Sequence, residues 1–279
     1  MTVLEVTLLI ALGSFAAGLL GALTGLGGGI VIVPMLTLVF HVHLRYAAGA
    51  ALVSVIATSS GAGAAYVREG FTNIRLAMFL EIATVLGALA GAYAAAFVPP
   101  RALAVAFAAV LLHAAYRSLR PHPDRATISA PHPWAAPLRL NGVEPLPDGG
   151  GRAYTVQSVP LGFAIMSVAG AISGLLGIGS GALKVLALDQ TMRLPYKVSA
   201  ATSNFMIGVT AAASAGIYIR RGYVDPGLAF PVMIGVLLGA LVGARLLAAA
   251  PTRHLRTLFT VVIVVLAIEM LARAIQGEF

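Results

Sequence analysis

The chain has 279 residues, 59% of them hydrophobic and 10% charged, with a formal charge of +8 and no cysteine. A soluble domain carries about 25% charged residues, so this balance excludes a soluble globular enzyme and indicates a polytopic α-helical membrane protein. The missing cysteines exclude disulfide frameworks, thiol catalysis and thiolate metal sites, and in such a chain the positive excess belongs to inner-side loops rather than to nucleic-acid binding.

The N-terminus, Met1-Thr2-Val3-Leu4-Glu5, has no basic n-region, so the first apolar stretch is expected to be a retained helix and not a cleaved signal. Five apolar segments follow one another at about 4–23, 28–40, 46–67, 75–97 and 101–118. The second opens on Gly25-Leu26-Gly27-Gly28-Gly29, a cluster that should break a helix. Unwound backbone within a bilayer is tolerated only inside protein or beside a water-filled cavity. That second segment is too short to span comfortably and is expected to be a half-helix. Next comes a linker at about 119–154, holding Pro121, Pro123, Pro131, Pro133, Pro137, Pro145, Pro147 and the run Gly149-Gly150-Gly151. Its proline density rules out a long helix, and a solvated loop is expected. Five more segments lie at about 155–176, 180–191, 197–219, 227–249 and 253–275, the second opening on Gly177-Ile178-Gly179-Ser180-Gly181.

These segments are one repeat used twice. A shift of 152 residues places Gly25, Gly27 and Gly29 on Gly177, Gly179 and Gly181, Thr58 on Thr210, Tyr66 on Tyr218, Arg68 on Arg220, Gly70 on Gly222 and Pro99 on Pro251. The expected organisation is a first repeat at 1–118, a linker at 119–154 and a second repeat at 155–279. If all ten segments cross, with the N-terminus outside, eleven Lys and Arg fall inside and five outside; if the short segments do not cross, the best split is ten against seven. The first bias is stronger. It places both termini on the periplasmic side and the linker in the cytoplasm. An odd number of segments per repeat also makes the repeats inverted. The expected fold is therefore all-α, with ten helices of which two are short and follow glycine breaks.

Several residues are candidates for chemistry. A short helix after a glycine cluster presents free N–H groups and its positive dipole end to an anion, which singles out Gly25, Gly27, Gly28, Gly29, Gly177, Gly179, Ser180 and Gly181. Lys184 lies three residues beyond Gly181, and a lysine at membrane depth is a functional candidate. Thr202, Ser203 and Asn204 form a polar triplet whose counterpart, Ala50-Ala51-Leu52, is apolar. Glu81, whose counterpart is Met233, is a candidate for carrying a coupling proton. His41 and His43 flank the first short segment and would serve a divalent-metal permease, although no third ligand cluster accompanies them. No nucleophile triad or paired carboxylates are evident. An enzyme is not expected, a membrane-embedded enzyme or scaffold without flux is the remaining rival, and no cofactor is expected.

The stretch from Gly25 through Pro34 to Leu36 resembles the Gly-x-Gly-Gly-Gly-(x)4-Pro signature of the TauE/SafE group of sulfite-exporter-like permeases, and Gly177-Ile-Gly-Ser-Gly resembles its second copy. The resemblance covers nearly the whole chain outside the linker. It implies transport, as an exporter, of sulfite, sulfoacetate or other organosulfonates across a bacterial inner membrane, with the glycine residues of the two motifs at the substrate. Two departures stand out in the second copy: Ser180 replaces a glycine, and Leu186 stands where the first copy has Pro34. The direction of transport, the coupling ion, the anion and the oligomeric state stay open. The expected partners are a small anion and the lipid bilayer.

Overall fold

The computed structural model describes residues 2–24, 28–119, 132–146, 150–179, 181–247 and 252–278. The first repeat contains α1 (Val3–Thr24), α2 (Gly29–Pro34), α3 (Leu44–Arg68), α4 (Ile74–Ala94) and α5 (Pro100–Leu119). The second contains α6 (Val159–Leu176), α7 (Gly181–Leu186), α8 (Tyr196–Arg220), α9 (Pro226–Leu247) and α10 (Thr252–Gln276). The protein is thus an all-α polytopic membrane protein, and five helices (α1, α3, α4, α6 and α9) are individually long and apolar enough to cross a bilayer.

Each short helix runs on into one wide π turn, at Met35–Val39 and at Ala187–Thr191. The eleven residues Gly29–Val39 rise about 16 Å, half of the roughly 30 Å hydrocarbon core. Pro34 lacks an N–H and would by itself loosen a helix. It is not the cause of the wide turn, because the turn recurs after Leu186, where no proline stands. Both turns end in the same way: His41 and Arg193, 152 residues apart, are left-handed at φ 54° and 58°, and Val42 and Leu194 donate back to the carbonyls of Leu36 and Leu188.

Outward faces are built of large apolar residues. On α4, Met78, Ile82, Leu86 and Tyr93 are exposed while Leu80, Ala83, Thr84 and Ala88 are buried. Such a face suits lipid, which gives helices no hydrophobic reason to associate; close backbone packing must do so instead. Small residues supply it. A Cβ on Gly87 or Gly91 of α4 would strike the carbonyl oxygen of Ser167 or Ala171 on α6, and one on Gly170 or Gly174 would strike that of Thr84 or Ala88. The second copy of this interface joins α1 to α9, where Gly235 and Gly239 rest on the carbonyls of Ala11 and Phe15.

Helix directions establish the inversion. Asn73 bonds Thr202, Glu81 bonds Thr210 and Arg221 bonds the Ala92 carbonyl, each pair 129 residues apart. So α4 and α8 run parallel. By contrast, Ser59 meets Gly208 while Gly63 meets Phe205, so α3 runs antiparallel to α8, its own repeat counterpart. The core is likewise divided across the repeats. One apolar cluster joins α1, α2, α5, α9 and α10 with the start of α3; a second joins α4, α6 and the linker with α8; a third lies between α3 and α8 and takes in the end of α4.

The linker differs from the solvated loop that its composition suggests. Its described part contains an antiparallel hairpin, β1 (Gly142–Pro145) with β2 (Gly151–Tyr154). Ala135, Leu140, Tyr154 and Val156 are buried in the cluster with Leu76 and Leu80 of α4 and Met166 of α6. Proline and glycine prevent a helix here but not a short sheet anchored by four apolar side chains. Glu144 pairs with Arg152, directly opposite on the hairpin, through bonds of 2.6 and 3.1 Å. Burial pushes the Tyr154 phenol up to about 12. An unfolded tyrosine ionises near pH ~10, so the unfolded state loses its proton first and this contribution to stability fades as the pH climbs from about 10 towards 12. In an ultraviolet titration, the phenol signal lost in Tyr154→Phe should be one that ionises near pH 12; loss of a signal centred near pH ~10 would show that Tyr154 is not held this way.

Candidate functional site

Of the predicted glycine-break residues, Gly25, Gly27 and Ser180 lie outside the described residues. Gly28 is buried, and its carbonyl accepts the N–H groups of Val31 and Ile32 at 3.0 and 3.1 Å. Gly29 begins α2, and a Cβ on it would come within 2.8 Å of Val55 and 3.2 Å of the Ile178 carbonyl oxygen. The two breaks therefore touch: the start of α2 lies against the turn between α6 and α7. Gly177 and Gly179 shape that turn in left-handed conformation, both at φ 74°. Any other residue there would be strained. Gly181 begins α7, and its carbonyl accepts the Ser203 hydroxyl at 3.2 Å.

Lys184, one turn into α7, is fully buried. Its Nζ donates to Thr210 Oγ1 at 2.5 Å, and Thr210 Oγ1 in turn lies 2.6 Å from Glu81 Oε1. Glu81 is only 6% exposed, and its second oxygen, Oε2, is buried without a partner. Lys184 and Glu81, separate candidates in the sequence, thus become the two ends of one chain of charge-assisted bonds. Thr210 is the member that sequence reasoning left out. Its signal was present: it falls on Thr58 in the repeat register. The equivalent place in the first half holds no such pair. Ile32 is buried, and the Thr58 hydroxyl bonds only its own helix, at the Val55 carbonyl.

The polar triplet separates into three tasks. Thr202 Oγ1 accepts the backbone N–H of Asn73 at 3.1 Å, near the linker. Ser203 holds the start of α7. The Asn204 carbonyl accepts the Ser59 hydroxyl at 2.5 Å, and Ser59 also accepts the Gly208 N–H at 3.0 Å. None of the three bonds Lys184, whose hydroxyl partner stands two turns further along α8.

His43 lies in the turn after α2. Burial and the Arg45 guanidinium lower its pKa, which favours the neutral ring, and its Nδ1 accepts the Arg45 N–H at 3.3 Å. Among the described residues no group of three His, Cys, Asp or Glu comes together.

Comparison with known proteins identifies a family and several relatives. A family profile described as Sulfite exporter TauE/SafE matches residues 10–270. The chain is 27% identical over 276 residues to the probable membrane transporter protein YunE of Bacillus subtilis (strain 168), covering 96% of this chain and 98% of that one. It is 28% identical over 247 residues to the probable membrane transporter protein YdhB of the same organism, covering 85% and 89%. A probable membrane transporter protein of Methanocaldococcus jannaschii, MJ0441, is 24% identical over 280 residues, covering 95% and 94%. No solved structure matches the chain significantly.

Proposed function

Since this chain belongs to the sulfite exporter TauE/SafE family and is a membrane transporter, we propose that it moves small sulfur-containing anions, such as sulfite, sulfoacetate or other organosulfonates, outward across a bacterial inner membrane. The observation that carries this reading is the buried lysine one turn beyond the second glycine break. An anion entering between α2 and α7 finds N–H groups at the opening turns and the Lys184 ammonium one turn beyond. As described, Lys184 is already balanced by Glu81 through Thr210. The anion therefore replaces Glu81 as counter-charge, and Glu81 takes up a proton so that no second negative charge stays buried. This makes Glu81 the coupling group. The reading includes no catalytic step. Both termini face the periplasm and the linker faces the cytoplasm, following the positive-inside bias.

The close packing of α1 on α9 and of α4 on α6 supports alternating access in which these pairs, rather than the repeats at 1–118 and 155–279, rock about the α3–α8 seam. Reconstituted protein in liposomes tests the substrate class. Sulfite or a sulfonate should be taken up faster than by empty vesicles and should compete with the others. Absence of flux for every such anion would refute the proposal.

A further inference from the structure

A second polar cavity lies about 12 Å along α4 from Glu81, by the helix rise between residues 73 and 81. Its volume is about 220 Å³, and its wall includes Thr72, Asn73, Arg75, Arg139, Asn141 and Tyr154. It opens where the loop before α4 meets the linker hairpin. We propose that this cavity is a seat for a small tetrahedral oxyanion of the phosphate type, separate from the transport centre.

The charged groups on its wall are both cations, and the other uncommitted side chains can donate. Arg75 and Arg139 are exposed and form no ion pair among the described residues. The Thr72 hydroxyl oxygen is buried with no hydrogen-bond partner, a state that costs about 1–3 kcal/mol unless something fills it. The acceptor of Asn141 is occupied by the Val156 N–H at 2.9 Å, so its amide N–H groups are what it can offer a ligand. No carboxylate lines the cavity, and the nearby Glu144 is already bonded to Arg152. This wall repels a cation and suits an anion with several acceptor oxygens. Arg139 also sits at φ 51°, a conformation that glycine would adopt without strain; the fold holds a guanidinium there at a cost.

The cavity connects to the transport centre through Asn73. Asn73 Nδ2 donates to the Leu140 carbonyl at 2.7 Å and to the Tyr154 hydroxyl at 2.9 Å, and its backbone N–H donates to Thr202. The next residue, Ser203, holds the start of α7. A ligand in the seat therefore touches the linker directly and reaches α8 through Asn73 and its bond to Thr202.

The test uses purified full-length protein and its thermal unfolding midpoint. Inorganic phosphate should raise the midpoint of the wild type. Arg75→Gln/Arg139→Gln should require at least about tenfold more phosphate for the same rise, the effect of losing one or two charged hydrogen bonds. Both residues are exposed, so the ligand-free midpoint should stay at the wild-type value. Lys184→Met/Glu81→Gln, which removes both charges of the transport centre, should leave the phosphate response intact, which separates this seat from that centre whatever it carries. A rise with short-chain phosphatidylglycerol but not with inorganic phosphate, lost in the double variant, would support the seat and identify a lipid headgroup as its source. An unchanged response in the double variant, or no rise with either probe, would overturn the proposal.

Discussion

Lys184→Met should lower anion flux in proteoliposomes by at least about thirtyfold, because removing one member of a buried hydrogen-bonded charge pair costs roughly 2–5 kcal/mol. The lysine is fully buried and its side chain bonds Thr210, which leads to Glu81. The single variant leaves the Glu81 carboxylate without a counter-charge, which destabilises by about 3–5 kcal/mol if it stays ionised. Loss of flux alone could then reflect loss of fold. Lys184→Met/Glu81→Gln removes both charges and should restore the unfolding midpoint towards wild type, since neutral replacement of a buried pair is often harmless. It should not restore flux. A double variant that folds and transports normally would remove Lys184 from the pathway. Glu81→Gln alone should keep anion binding, with the lysine now free, and lose the dependence of flux on a proton gradient.

Gly177→Ala should be the most damaging methyl group that can be added among the described glycines of the two breaks. The position is left-handed at φ 74°, and the new Cβ would lie 2.6 Å from the Ala48 Cβ and 2.8 Å from its carbonyl oxygen. A left-handed non-glycine residue costs roughly 1–2 kcal/mol, and overpacking adds about 1–3 kcal/mol. The neighbours are the backbone and Cβ of α3, which cannot swing aside as a long side chain would. Gly216→Ala is the control. Nothing lies within 4 Å of a Cβ there, and alanine in a helix gains about 0.5–1 kcal/mol over glycine. Thermal unfolding should therefore move in opposite directions for the two variants. Similar midpoints would mean that the second break is not held in this geometry.

Much of this arrangement was legible in the chain. The constant offset of 152 residues paired the two glycine clusters, and each short helix begins at Gly29 or Gly181 as that pairing requires. Lysine and glutamate stand out in an apolar chain because charge at membrane depth is expensive, so Lys184 and Glu81 were visible as single residues. Thr210 was not, because a threonine in a membrane helix is commonly a packing residue; only its place between an ammonium and a carboxylate distinguishes it. The polar triplet showed the opposite limit. Thr202, Ser203 and Asn204 are adjacent in sequence but point around α8, so one meets the linker side, one meets α7 and the third joins α3 through its backbone. The linker hairpin was hidden for a related reason. Proline and glycine reveal where a helix cannot form, while a four-residue strand is stabilised by distant partners on α4 and α6.

Sequence alone determined the membrane class, the duplicated plan and the two breaks, because hydropathy, charge bias and glycine act through local rules that need no partner. Tertiary structure alone decided which elements pack as units and which charges meet. The small-residue faces place α1 on α9 and α6 on α4, so the packing units cross the repeats. The same crossing runs α4 parallel to α8 and brings Glu81 and Thr210, 129 residues apart, within 2.6 Å of each other. The physical reason is that backbone approach at glycine and alanine is a property of two facing surfaces, and a hydrogen-bonded charge pair is a property of two facing side chains; neither is written in the periodicity of one segment.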